Sequence, residues 1–471
     1  MDDTTTWAAR FGQLRSLLHA RAADDPEAED ARADEVHDLI EQAWQDDPTR
    51  YEAQWRPYLD AHHEAMPTLV FPRLSDLDEA HRTYLPARCG LGLLDSRGLD
   101  GRLDALLDGP LAPRLRALAL SCLALREEDV RRLATTPALQ GLHTLCLAHN
   151  PLSPALVDAL ARSPHLAGLR ALEVEFCGLD AAAIPALLGP NTLWQLDALM
   201  LDGNPLGEEG VRALGRAPGL ARLRKLGLEN IKIGRWGMDE LFGALLASPL
   251  PALRELSLAH VWSGHYLRDN RWPELLRSRA PALESLDLSG NSLIPPVIKA
   301  LVANLPPTLR TLWLHNTSLR GDGARLFLAH MQTGLHTLSL SGCELWSSAT
   351  VLSEPWPALD APPTLRALDL GYNRLDDETL AGLVACPHLG ALESLELCHN
   401  ALTDAGAQAL VRSPHLGALR HLSVSYNDQM TARGVRALME GLRLETLTVA
   451  GIVDDAEAEA LMATSGVKLL T

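Results

Sequence analysis

The chain has 471 residues, 47% of them apolar and only 4% aromatic, so a core has to be built mainly from Leu, Ala and Val, and a disordered chain is excluded. Acidic residues outnumber basic ones 60 to 42, a formal net charge of -18, which argues against a mainly phosphate-binding surface and so against nucleic acid as a partner. No run approaches the roughly 18 apolar residues of a membrane span, the opening residues MDDTTTW lack the basic-then-apolar order of a signal peptide, and the seven cysteines contain no C-x-x-C. The expectation is a soluble, cytoplasmic chain without membrane contact, disulfide framework or zinc module.

Residues 1–86 show helical patterns from Trp7 to Ala22, Ala31 to Trp44, Tyr51 to Ala65 and Ser75 to Tyr84, punctuated by Pro48, Pro57, Pro67 and Pro72. With 19 acids and 8 arginines the segment carries -11 of the net charge. A helical cap over the end of the following array is expected, with a docking module as the alternative. From about residue 87 one phrase recurs, L-x-x-L-x-L-x-x-N-x-L. Clear copies begin at Leu142, Leu196, Leu283, Leu365 and Leu392, and variants at Leu115, Leu169, Leu223, Leu253, Leu309, Leu335, Leu419 and Leu444, with 27 residues the commonest interval and 25, 26 or 30 elsewhere. Counting back 27 from Leu115 gives a degenerate unit at Arg88, with Leu91 and Leu93 at positions four and six. The last predicted element is a helix from Asp454 to Ala463 that closes the array.

Positions are numbered from the first leucine of each phrase. Positions four to six alternate with strand periodicity, and later stretches such as Gly406 to Leu410 have helical spacing, so each unit reads strand, turn, helix, turn. A unit of 27 residues cannot bury its leucines alone, so neighbours must stack their strands into a parallel sheet. These repeats resemble the leucine-rich repeat family over roughly 385 of the 471 residues. Their length is similar to that of the ribonuclease-inhibitor-like group, and the Arg-over-Lys, Ala/Leu-rich composition is similar to that of a GC-rich bacterial genome. The resemblance implies an α/β fold, a right-handed solenoid with a curved sheet inside, helices outside and an N-terminal helical cap. It also implies a non-catalytic interaction scaffold, since proteins of this kind commonly bind other proteins and some inhibit enzymes or stimulate GTPases.

At position nine, Asn150, Asn204, Asn291, Asn373, Asn400 and Asn427 stand where the chain leaves the strand, and a buried amide there can satisfy neighbouring backbone groups. Cys177 and Cys343 replace it in two units, and Leu123, Ile231, Val261, Thr317 and Ile452 in others, where irregularity is expected. Three long units place Trp236, Trp262, Tyr266, Trp272, Trp346 and Trp356 in predicted loops, which either pack on the array or form a binding lip.

Catalytic signatures such as G-x-x-x-x-G-K-[ST], H-E-x-x-H and G-x-S-x-G are missing, and His62, His63 and Glu64 have no metal-spacing partner. Cys398 beside His399 is the one candidate nucleophilic pair, although adjacent strand residues face opposite ways. An enzyme, or an enzyme activator or inhibitor, acting through the N-terminal segment or through Cys398 and His399 is the alternative function. Positions five and seven face the open side of the sheet and carry the partner-binding information. Glu173, Glu175, Asp202 and Glu229 form an acidic cluster, which suits a basic protein partner. Trp313 and His315, with Tyr372, His399 and Tyr426 at position eight, form an aromatic one. Calcium is disfavoured because carboxylates on a stiff sheet cannot wrap an ion. No cofactor is expected, and the array is expected to be a monomer.

Overall fold

The computed structural model describes residues 3–19, 26–61, 68–71, 90–93, 103–233, 237–261, 271–293, 295–329, 334–345, 362–462 and 467–470. The chain divides into two compact units, residues 1–204 with 217–219, and residues 205–216 with 220–471.

The first unit begins with helices Asp3–His19, Pro26–Asp46 and Pro48–Ala61, at the predicted places. The predicted helix at Ser75 to Tyr84 lies outside the described residues. Aromatic packing holds the bundle: Trp55 is buried against Trp7, Phe11 and Tyr51, with ring centroids 5.6, 5.4 and 6.2 Å away. Helices are not all that this segment contains. Strand Leu69–Phe71 (β1) pairs in parallel with Leu91–Leu93 (β2), and its Phe71 ring meets His37 edge-on at 4.9 Å. The repeat phrase does not announce β1, because Leu69 and Phe71 supply only the two buried positions of a strand and nothing after them. Strands Leu115–Ala119 (β3), Thr144–Cys146 (β4), Ala171–Glu173 (β5) and Ala198–Met200 (β6) follow in order, all parallel.

The second unit contains strands Lys225–Gly227 (β7), Glu255–Ser257 (β8), Ser285–Asp287 (β9), Thr311–Trp313 (β10), Thr337–Ser339 (β11), Ala367–Asp369 (β12), Ser394–Glu396 (β13), His421–Ser423 (β14), Thr446–Thr448 (β15) and Lys468–Leu470 (β16). Within this unit each pairs in parallel with its sequence neighbours, from β7 to β16. The final helix, Asp455–Met462, is therefore not the last element: β16 adds one more strand beyond it, beside β15.

Each unit is a stretch of α/β solenoid. The leucines at positions four and six, such as Leu368 and Leu370 or Leu395 and Leu397, are buried on one face of the sheet, while the residues between those pairs, Asp369 and Glu396 at position five, stay half exposed on the other. In the regular units a helix returns the chain. Asp404–Arg412 buries Ala407 and Leu410, and Ala432–Gly441 buries Val435 and Leu438 at the same spacing. Successive units are also stitched at the helix starts. Asp377 accepts from the Thr403 amide at 2.9 Å and from its hydroxyl at 2.7 Å, and Asp404 repeats the contact one unit on with the Thr431 amide at 2.9 Å.

The position-nine asparagines act as the spacing predicts. Asn373 Nδ2 donates to the carbonyls of Leu340 and Leu370 at 2.8 and 3.0 Å, and its Oδ1 accepts from the Cys343 amide of the preceding unit at 2.8 Å. Asn150, Asn204 and Asn427 make equivalent bridges. Where cysteine replaces asparagine the donor half survives: the Cys343 thiol reaches the Leu314 carbonyl at 3.0 Å and the Cys177 thiol the Leu147 carbonyl at 3.2 Å. Asn373→Ala orphans backbone groups on two units. It is expected to cost about 1–3 kcal/mol, read as a lowered Tm, and Asn373→Cys should lose less because the thiol keeps a donor.

Candidate functional site

On the open face, register turns scattered sequence positions into columns. In the second unit Asp287, Trp313, Ser339, Asp369, Glu396, Ser423 and Thr448 are paired in succession along position five. Among the described residues, positions five and seven contain no lysine or arginine in any unit. Bases lie along the neighbouring row instead, where Arg254 pairs with Glu284, Arg366 with Glu393 and Arg420 with Glu445 across adjacent strands.

The predicted aromatic cluster forms two groups. Trp313 stacks on His315 with centroids 5.3 Å apart. His315 Nδ1 lies 2.9 Å from the Ser339 hydroxyl, which donates to Asp369 Oδ2 at 2.8 Å, and the same ring nitrogen is 3.7 Å from that carboxylate. With the serine proton committed to Asp369, Ser339 Oγ accepts from His315 Nδ1–H, so this link sets the tautomer. The order is histidine, serine, acid. A nucleophilic triad has the histidine in the middle, and Ser339 is fully buried, so this chain of contacts orders the site and does not activate a serine.

In the second group His399 is sandwiched between Tyr372 at 4.2 Å and Tyr426 at 4.4 Å, all three rings near parallel. Both tyrosines are unusually open for aromatic residues, 59% and 48% exposed. Position eight explains the stack. Tyr372, His399 and Tyr426 have φ of 56, 53 and 54°, a left-handed turn that swings each ring out of the strand alternation and into line with the next unit. The first unit has a smaller version, His149 on Phe176 at 4.8 Å.

The acidic cluster divides between the two units. Glu173 and Glu175 on and just after β5, and Asp202 just after β6, belong to the first, while Glu229 follows β7 in the second. Each of Glu175, Asp202 and Glu229 is engaged with a neighbour. Register adds a residue that the charge pattern did not select: Cys146 is directly paired with Glu173, and its thiol and the Glu173 and Glu175 carboxylates lie within 4.8 Å of one another. That donor set could hold a metal ion. Burial pushes the Cys146 thiol up to about 11, against the effect of the Ser121 hydroxyl 3.0 Å away. The position-five column, read across units, was the sequence signal that links Cys146 to Glu173, and Ser339 to Asp369.

Trp262 and Tyr266 lie outside the described residues, as do Trp236, Trp346 and Trp356. Trp272 is not part of a binding lip: it is fully buried, edge-on to Phe242 at 5.0 Å. Cys398 and His399 are not brought together as a pair, since the His399 ring is occupied by its two tyrosines. Burial, with Asp369 and Glu396 adding to it, pushes the Cys398 thiol above its ordinary range, the reverse of what a nucleophile requires.

Residues 361–384, 391–411 and 419–439 match one family model described as Leucine Rich repeat, and residues 282–301 match a second, Leucine Rich Repeat. No curated protein matches the chain. Among solved structures it is similar to the Rad7 and Elc1 complex in yeast, at 17% identity over 92% of this chain and 97% of that one, TM-score 0.45. It is similar to an internalin, inlF, from Listeria monocytogenes at 16% identity over 74% and 88%, TM-score 0.43. A leucine-rich repeat-containing protein, LegL7 from Legionella pneumophila, is similar at 21% identity over 57% and 90%, TM-score 0.41.

Two measurements follow from the site. Among the described cysteines Cys122 is exposed, whereas Cys177, Cys343 and Cys386 are pushed up to about 12 by burial. Alkylation at neutral pH, mapped by mass spectrometry, should label Cys122 first, with Cys398 lagging and accelerating as pH rises; a Cys398 faster than Cys122 would restore the nucleophile. The second concerns Glu396, whose carboxyl burial pushes up, with Asp369 reinforcing and Ser423 opposing the shift. A carboxyl with a higher pKa folded than unfolded costs stability once ionised; the cost is absent below the unfolded pKa and complete above the folded one. Glu396→Gln should therefore raise Tm at neutral pH, and the gain should shrink to nothing as pH falls through the carboxylate range.

Proposed function

Because the chain is a leucine-rich repeat protein, we propose that it is a non-catalytic scaffold that binds a protein partner on the open face of its sheet. The observation that carries this reading is the position-eight ladder. Tyr372 and Tyr426 are held exposed on a stiff sheet where folding does not require them, and large amphipathic rings of that kind are favoured anchors at protein interfaces. The absence of Lys and Arg from positions five and seven among the described residues makes a basic partner the better match, and long-range attraction would speed its encounter. Residues 1–86 serve in this reading as the closing end of the array, and the protein works as a cytoplasmic monomer without a cofactor.

The test is capture from a lysate of the source organism on immobilised full-length protein. Wild type is compared with two folded variants, one carrying Glu173→Lys, Glu175→Lys and Asp202→Lys and the other Trp313→Ala, Tyr372→Ala and Tyr426→Ala. A protein retained by the wild type and lost with the second variant is expected. Identical capture by all three would sink the open-face reading, and the first variant alone losing the partner would move the site to the β5–β6 acids.

A further inference from the structure

We infer that the Tyr372 end of the ladder is a receptor for an arginine side chain of the partner, an inference that deepens the open-face reading and rests on it. The starting observation is that position eight is directional. Side chains there lean onto the following unit: His260 lies over Gly290, Asn316 over Gly342 and Tyr426 over Gly451, so that a Cβ built on each glycine would collide with them. Tyr372 and His399 lean the same way, and each finds a ring. The far face of every ring is thus covered by the next unit, and the last ring, Tyr426, rests on Gly451.

Among the described residues one ring face of the ladder remains, that of Tyr372 on the side of Gly342. Gly342 is the position-eight residue of the preceding unit, where a further ring would stand, and it offers none. Its amide donates to the Gly371 carbonyl at 2.9 Å, which places it directly beside the Tyr372 turn. Asn316 and Tyr372 are two strands apart, about 9.6 Å at sheet spacing. A planar group held between two others at van der Waals contact needs roughly 7 Å, so the gap matches one planar group in thickness.

The floor beside this gap is bare as well. Position seven is Gly371, where a Cβ would come within 2.9 Å of the Cys398 thiol and 3.2 Å of Asp369 Oδ1. The missing side chain leaves Asp369 accessible next to Tyr372, with Glu396 paired to Asp369 on the next strand. Among the described residues no lysine or arginine pairs with either carboxylate: Asp369 is held by the Ser339 hydroxyl and the Gly371 amide, with the His315 ring 3.7 Å away, and Glu396 by the Ser423 hydroxyl. The gap therefore asks for a group both flat and positive. A guanidinium satisfies both, stacking on an aromatic face while its N–H groups point at carboxylate; an ammonium brings only charge, and an aromatic side chain only the plane.

The experiment uses full-length protein and three fluorescent peptides of equal length, carrying four arginines, four lysines or four tyrosines in a Gly-Ser background, followed by anisotropy at low ionic strength. The arginine peptide should bind about two- to fivefold more tightly than the lysine one, the range expected of an exposed cation–π contact. Tyr372→Leu should reduce arginine to the lysine level, and Asp369→Asn should weaken both peptides alike. Gly342→Asn, a residue that accepts the left-handed turn at φ 67°, should block the gap and remove the preference while leaving the ladder in place. Equal binding of arginine and lysine, the tyrosine peptide binding best, or an arginine preference that survives both Tyr372→Leu and Gly342→Asn would each overturn the inference. A lysate partner that still depends on Trp313, Tyr372 and Tyr426 without any arginine preference would leave the open-face reading standing and remove this one alone.

Discussion

Leucine at position four, with leucine or valine at position six, cannot be buried within a single unit, and this constraint organises the molecule. Leu286, Leu312, Leu338, Leu368, Leu395, Leu422 and Leu447 are paired in register down the second unit, and all are buried. The stacking that hides them aligns every other position of the repeat as well. A slip of one residue would turn the whole leucine set to water, so the register is strongly held. The asparagine bridges at position nine belong to the same requirement, because a chain leaving a buried strand must hand its carbonyls and amides to something.

This alignment gives each column on the open face its own chemistry. Charged pairs of opposite sign line the entry to the strands, where Arg366 meets Glu393 and Arg420 meets Glu445. Along position five a hydroxyl flanks each end of the Asp369 and Glu396 pair, so that Ser339 and Ser423 answer the two carboxylates without neutralising them. Position eight, turned left-handed, collects the rings. A repeat sequence can vary these columns independently because the core does not depend on them, which is why recognition can be written there at little cost to stability.

The half-buried Cys398 thiol and the inverted order of His315, Ser339 and Asp369 show how the same columns separate chemistry that looks catalytic in a list of residues. Each residue type needed for a nucleophile is present, yet partial burial and the neighbouring carboxylates oppose ionisation of the thiol, and the serine sits at the centre of the relay, inaccessible. What the arrangement does provide is rigidity: groups held by their neighbours on a stiff sheet lose little freedom when a partner docks.

Much of the fold was legible from spacing alone. The strands, expected at positions four to six and formed one residue earlier at three to five, the helices between them, the asparagine bridges and the membership of the open-face columns follow from a period of about 27 residues, because such units can bury leucine only by stacking. Strands β1 and β16 escaped notice because Leu69 and Phe71, or Leu469 alone, are too short a pattern to stand out without the rest of the phrase. Spacing left Trp272 open between packing on the array and a binding lip, and packing against Phe242 placed it in the core. The aromatic residues at position eight were visible as a set. Their stacking was not, since it depends on a backbone turn at Tyr372, His399 and Tyr426 that no propensity of tyrosine or histidine announces. The sequence by itself determined which side chains are spared by the core. Tertiary structure decided which of them touch, because contact across units depends on register and on left-handed turns that the stacked chain imposes.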